Sequence, residues 1–294
     1  MFALVALVGC DARGAGPQGT GATPSPSPEP TGRPLAAESY AYDAPLPRGP
    51  RRFASELTGV SAELDDAIGT WMDQGGPPGL PARPVMLRAI HQQRLYRGLV
   101  ARPRLFERVR PLLPGRLGRI AARNVRAGAR LRSLVTPLDE PPDWEIHKPA
   151  PINELRRYYE AAGRRFDIPW EILASLNFVE SRFGRILGPS SAGAVGPMQF
   201  LPSTWDAYGH GGDVNDPRDA IMGAARYLSA SGAPRRMEDA LFAYNRSTDY
   251  VRAILIYAHQ MMSDGRIFYA YYHWQVYVIT KDGDVRLSGP GATG

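Results

Sequence analysis

The stretch that decides the fold is Pro169-Trp170-Glu171-Ile172-Leu173-Ala174-Ser175-Leu176-Asn177-Phe178-Val179-Glu180-Ser181-Arg182-Phe183. Ile172, Leu176, Val179 and Phe183 recur at spacings of four, three and four, which predicts a helix with these residues on its buried face. At about 100° per residue, Glu180 lies about 40° from Leu176 and about 60° from Phe183, so its carboxyl is on the buried side. Burial disfavours the ionised form, and the negative end of the helix dipole, with Gly184 read as the stop, acts in the same direction. A raised pKa is expected for Glu180, as suits a general acid near neutral pH. The ordinary alternative is a carboxylate neutralised by Arg182 or Arg185 near the helix end, and this helix alone does not choose between them.

Downstream come Gly196-Pro197-Met198-Gln199-Phe200-Leu201-Pro202-Ser203-Thr204-Trp205, then Ala243-Tyr244-Asn245, then Tyr250-Val251. Together with Glu180-Ser181-Arg182-Phe183-Gly184, these resemble the ordered motifs of the soluble lytic transglycosylase superfamily, whose fold is goose-type lysozyme-like. The resemblance runs from about Pro149 to Met262. It implies that Glu180 is the catalytic acid and base, that Ser181 supports the substrate or the Glu, and that Met198 and Gln199 line a sugar groove. By the same resemblance Tyr244 and Asn245 form the element whose Asn meets the N-acetyl group, and Tyr250 hydrogen-bonds the Glu. The third motif departs from the usual small pair by continuing into Arg246-Ser247.

A hydrolysing glycosidase uses two carboxylates roughly 5 to 10 Å apart. Within a turn or two of Glu180 there is no second acid; the next are Asp206, Asp213, Asp216 and Asp219. Asp216-Pro217-Arg218-Asp219 reads instead as an N-cap, a first-turn proline and a capping-box acid. The resemblance implies non-hydrolytic cleavage of the β-1,4 bond after N-acetylmuramic acid in peptidoglycan strands, leaving 1,6-anhydromuramoyl ends, and the lack of a second nearby acid agrees with it. A muramidase that hydrolyses the same bond and a non-catalytic peptidoglycan-binding protein are the alternatives. Among Phe200, Trp205, Tyr208, Tyr227 and Tyr244, the motif neighbours Phe200 and Tyr244 are the expected sugar platforms, and the loop from Gly188 to Gly196 is expected to wrap the cleft. A Ser nucleophile is poorly supported, because Ser190 and Ser191 lack nucleophile-elbow spacing.

Around this helix the pattern predicts further helices over Ile152 to Arg165 and from near Ser203, Asp216, Met237 and Asp249. The chain then changes period: Gln275 to Thr280 reads as a strand, Asp282-Gly283 as a turn and Val285 to Leu287 as the return strand. The expected fold class is mainly α (α+β): a lysozyme-like catalytic domain over 150–288 with a C-terminal β-hairpin.

Upstream, Pro137 to Pro151 carries four acids and five prolines, and 137–149 reads as a linker. Before it, 53–136 is an Arg-rich helical region: Arg83 to Arg132 holds fourteen arginines against one acid, Glu107, whereas from Ala150 onward fifteen basic residues balance fifteen acidic ones. Leu113, Leu117, Ile120, Ala127, Leu131 and Leu134 form an apolar stripe interrupted by Asn124, with Arg116, Arg119, Arg123, Arg126 and Arg130 one position earlier. The basic stripe is either a solvated helix face or a surface for anionic lipid or wall polymer; no nucleic-acid partner is expected.

The N-terminal end, 1–10, is an apolar run ending in Leu7-Val8-Gly9-Cys10 that looks like a bacterial lipobox, with no Lys or Arg before it. It implies lipidation at Cys10 and an extracytoplasmic protein anchored on the outer face of the cytoplasmic membrane, or a secreted one if the apolar start is fortuitous. Residues 11–52 carry nine prolines and read as an extended spacer. Gly14 to Gly19 matches a dinucleotide fingerprint by letter, but no strand precedes it and Pro17 sits where a helix would begin. One cysteine and five scattered histidines give no disulfide framework and no metal-ligand spacing, so no metal and no cofactor are expected.

Overall fold

A computed structural model describes residues 45–76 and 83–288. Cys10, the Gly14 to Gly19 segment and most of the 11–52 spacer lie outside the described residues.

The Arg-rich region forms α1 (Pro50–Asp73), α2 (Arg83–Val100), α3 (Pro103–Val109) with a short 3₁₀ turn after it, and α4 (Gly115–Arg132). α1 starts at Pro50, slightly inside the expected spacer, because proline suits the first helical position, where its missing N–H has no partner to lose. Its buried residues Phe53, Leu57, Val60, Leu64, Ile68 and Trp71 form one stripe at spacings of three and four.

Seven helices follow: α5 (Ile152–Phe166), α6 (Trp170–Ser181), α7 (Pro202–Tyr208), α8 (Pro217–Ala230), α9 (Met237–Tyr244), α10 (Thr248–Ser263) and α11 (Arg266–Tyr272). Asp216 caps α8 by accepting from the Asp219 amide at 3.0 Å, as expected, but the Asp219 carboxylate accepts from the Asp213 amide instead of closing a capping box. Ser247 caps α10 by accepting from the Tyr250 amide, which fixes Tyr250 in the first turn.

The central α6 differs from its sequence reading in two ways. It ends at Ser181, not Phe183, because Arg182 and Phe183 both take left-handed backbone angles ahead of Gly184. It is also buried on all sides and not along one stripe, since α5, α8 and α10 all pack against it. Phe178, outside the expected stripe, stacks on Tyr271 at 5.0 Å and meets Phe183, Tyr257 and Trp274 edgewise or tilted.

The chain closes in an antiparallel hairpin of β1 (Tyr277–Thr280) and β2 (Gly283–Arg286). Thr280 pairs with Gly283, so the turn is Lys281-Asp282, one residue earlier than expected. β1 begins at Tyr277 and not Gln275, because the Gln93 side chain occupies the Gln275 backbone, bonding its amide and carbonyl at 2.8 Å each.

The compositional boundary at 137–149 does not divide the core, since buried residues of α1, α2 and α4 are continuous with those of α5 to α11. The segment itself is pinned: the Leu138 amide donates to Ile279, Leu138 accepts from the Lys281 amide, and the His147 amide donates to Arg185. α4 lies on α10, and Asn124, the polar break in its stripe, marks that crossing. Its Oδ1 accepts from the Tyr271 hydroxyl at 2.8 Å and from Gln260 at 3.3 Å, satisfying a polar group that would be costly to bury alone.

The basic stripe is divided in the same way. Arg116 pairs with Asp264 at 2.6 Å and Arg130 pairs with Asp249, both in the C-terminal half, whereas Arg119, Arg123 and Arg126 are exposed.

Candidate active site

Glu180 sits in the last turn of α6 with 2% of its surface exposed. The Tyr250 hydroxyl donates to its Oε1, and Oε2 has no partner among the described residues. Burial pushes the carboxyl well above its usual range, and the Tyr250 hydrogen bond opposes this only in part. Burial also holds the Tyr250 phenol well above its ordinary value, so it remains a donor.

Neither neighbouring arginine neutralises the acid. Arg182 lies over the Phe178 ring at 4.3 Å and donates to the Phe178 carbonyl, while Arg185 lies over Tyr272 and donates to the Arg182 carbonyl at 3.0 Å. The backbone between Ser181 and Arg185 leaves the helix through left-handed angles at Arg182 and Phe183.

Ser181 holds the next motif in place. Its hydroxyl donates to the Pro197 carbonyl at 2.6 Å and accepts from the Gly184 amide at 2.8 Å. Asn177, one turn earlier, donates to the same carbonyl at 2.7 Å and accepts from Tyr159 at 2.5 Å. Sequence reading missed Asn177, although an amide four residues before a serine within an apolar helix was a usable signal. Together they fasten α5, α6 and the Gly196-Pro197 turn, where Val195 and Phe200 exchange backbone hydrogen bonds at 2.9 Å. Gln199 takes a positive φ of 50° inside this turn, and its side chain donates to the Gly196 carbonyl at 3.0 Å.

The aromatic platform expectation is corrected. Phe200 is fully buried, packed on Trp205 at 5.2 Å, and offers no face to a sugar. Tyr244 is equally buried between Phe200 and Tyr227, and its hydroxyl donates to the Met198 carbonyl at 2.6 Å. Met198 is likewise enclosed, so it presents no surface to a groove. These three build the floor on which the turn rests. Asn245, at the end of α9, is buried with its side-chain amide nitrogen unpartnered, and so keeps a donor available.

Removing the Tyr250 hydroxyl isolates its contribution. Tyr250→Phe deletes the one contact that lowers the Glu180 pKa, so the high-pH limb of kcat, where the acid loses its proton, is expected to move to higher pH while kcat falls about 10- to 100-fold. A pH–rate profile whose limb stays put or moves down would separate Tyr250 from the acid.

The fold and this site define a mainly helical, lysozyme-like domain in which Glu180 is the one buried acid among the described residues. Residues 157–259 match the family model described as Transglycosylase SLT domain. Among curated proteins, the chain is similar to the membrane-bound lytic murein transglycosylase F of Thiobacillus denitrificans, with 30% identity over 112 residues. The match takes in 35% of this chain and 23% of that protein, so the chain spans about a quarter of its relative's length. No solved structure matches the chain.

Proposed function

We propose that the protein is a peptidoglycan lytic transglycosylase in which Glu180 acts first as acid and then as base. The observation that carries this reading is a single buried carboxyl, held by Tyr250 at one oxygen and open at the other, with no carboxylate or arginine partner. The Glu180 proton passes to the glycosidic oxygen as the bond from C1 of the muramoyl residue breaks, and the substrate's acetamido oxygen steadies the cation at C1. The Glu180 carboxylate then takes the proton of the C6 hydroxyl as that oxygen closes on C1. No water is consumed, and Glu180 ends protonated as it began. Ser181 and Asn177 position the Gly196–Phe200 turn, and the free amide of Asn245 suits an acetamido oxygen.

Mass spectrometry of digested wall tests the reaction. Products one water lighter than hydrolytic fragments, without a reducing end, are expected. Reducing ends of full mass would instead make the enzyme a muramidase, and wall binding without cleavage would make it a binding protein.

The site of action proposed is the outer face of the cytoplasmic membrane, with Cys10 carrying the lipid. Among the described residues no helix is long and apolar enough to cross a membrane. Cys10→Ser is expected to abolish labelled fatty-acid incorporation and to move the protein out of the membrane fraction; unchanged partitioning and labelling would end the lipobox reading.

A second contact with the envelope is proposed at Arg119, Arg123 and Arg126, the part of the basic stripe left exposed. Changing all three to Gln is expected to weaken sedimentation with anionic vesicles at 0.1 M salt, where the Debye length is about 10 Å, and to change nothing at 1 M, where it is about 3 Å. Vesicle binding that survives the substitutions would leave these residues as a solvated face.

A further inference from the structure

Glu180 and Arg182, with Val179, Ile186 and Tyr257, line a cavity of about 150 Å³ whose remaining walls come from outside residues 157–259. α2 contributes Arg97, α4 contributes Arg132, the pinned segment contributes Trp144 and the chain end contributes Trp274 and Asp284. The lining mixes apolar residues, Trp144 and Trp274 among them, with charged ones. Arg97 and Arg132 each bond one oxygen of Asp284 at 2.6 Å, so this carboxylate holds both guanidinium groups. Arg97 also lies over the Tyr277 ring at 4.4 Å.

Three cations, Arg97, Arg132 and Arg182, thus share the lining with two carboxyls, Asp284 and Glu180, and burial pushes the Glu180 carboxyl well above its usual range. Four buried polar atoms of the lining residues have no partner among the described residues: the Tyr96 hydroxyl, Arg97 Nε, Trp274 Nε1 and Glu180 Oε2. Buried donors without partners cost about 1–3 kcal/mol each, so such atoms mark where a ligand's acceptors would bond.

We infer that this cavity receives the acidic peptide stem of the muramoyl residue, with Arg97 and Arg132 as its carboxylate-binding residues and the Trp144 side taking its apolar part. The inference rests on the proposed reaction at Glu180. A glycan whose lactyl carboxyl is amide-linked is uncharged and gives the excess positive charge nothing to bind, whereas a stem peptide carries free carboxylates matched to paired guanidinium groups. The Arg-rich helices are then one wall of the substrate site, and Asp284 is an internal competitor that holds both arginines until a substrate carboxylate arrives.

The test compares kcat/KM on strands bearing stems with kcat/KM on strands stripped by an amidase, for the full chain and its variants. The native protein is expected to prefer stem-bearing strands. Arg132→Gln should cut that preference about ten-fold, Arg132→Lys should restore part of it, and Asp284→Asn should increase it by freeing both arginines. An ion pair that merely braces the fold would change both substrates alike, and Arg132→Gln and Asp284→Asn would act in the same direction; either result overturns the inference.

Quenching of tryptophan fluorescence by the tripeptide alanyl-γ-glutamyl-lysine supplies a readout independent of turnover. It should weaken in Arg132→Gln and strengthen in Asp284→Asn, with melting curves confirming that each variant folds. If neither strand is cut, the reaction fails and this titration alone decides the subsite, an absence of quenching at millimolar peptide overturning it. If both strands are cut without preference, the reaction stands and the subsite falls.

Discussion

Glu180→Gln is expected to lose 10²- to 10⁴-fold in kcat, the usual cost of deleting a positioned general acid, while still binding wall polymer. The amide keeps the shape of the side chain and can still accept from Tyr250, so the loss isolates the proton. Retention of more than about a hundredth of the activity would falsify the assignment, since among the described residues no other carboxyl acts on Glu180.

The same substitution has an expected effect on stability, of opposite sign. Because burial raises the folded-state pKa, the native protein holds a proton that the unfolded chain releases above its ordinary value of 4.5. Stability is then full below the unfolded pKa and falls by about 1.4 kcal/mol for each pH unit up to the folded pKa. Gln carries no such penalty. Glu180→Gln should therefore melt above the native protein at neutral pH, and the gap should widen with rising pH and close near pH 4. Equal melting temperatures across that range would mean that Glu180 is not held protonated.

Gly196→Ala is expected to be among the most damaging single substitutions to the fold. Gly196 has a φ of 77°, and a Cβ there would lie 2.1 Å from the Val214 carbonyl oxygen. Left-handed strain and a backbone overlap together cost about 3 kcal/mol or more, a fall of roughly 6–12 °C in Tm. Activity should fall as well, because the displaced turn carries Pro197 and Gln199. Gly193→Ala separates the two causes: its φ of 76° is similar, but its Cβ would meet nothing within 4 Å. Should the two variants melt together, the close approach of the 212–216 segment is not what Gly196 serves.

Most of the helices could be read from the chain, because their signals are local. Pro50, Pro202 and Pro217 open helices where proline fits, Asp216 and Ser247 supply caps, and the period of three and four carries α1. Helix and strand ends were read less well. The last turn of α6 stops early because Arg182 and Phe183 accept left-handed angles that no residue preference favours, and β1 starts late because Gln93, far away in sequence, takes the Gln275 backbone. Burial was misjudged wherever several elements meet: a stripe argument allows one buried face, and α6 has none exposed.

The sequence by itself determined a mainly helical chain with a terminal hairpin, and it singled out Glu180 through its place in a helix and the motifs after it. Tertiary structure alone decided what surrounds that acid. It placed Tyr250, seventy positions away, on Oε1 and turned Arg182 and Arg185 aside; it buried Phe200 and Tyr244 as packing, and it brought Arg97, Arg132 and Asp284 to one cavity. Periodicity records which side of one element is apolar, whereas burial, ion pairing and pKa depend on which elements meet, and that is fixed only when the chain closes into one core.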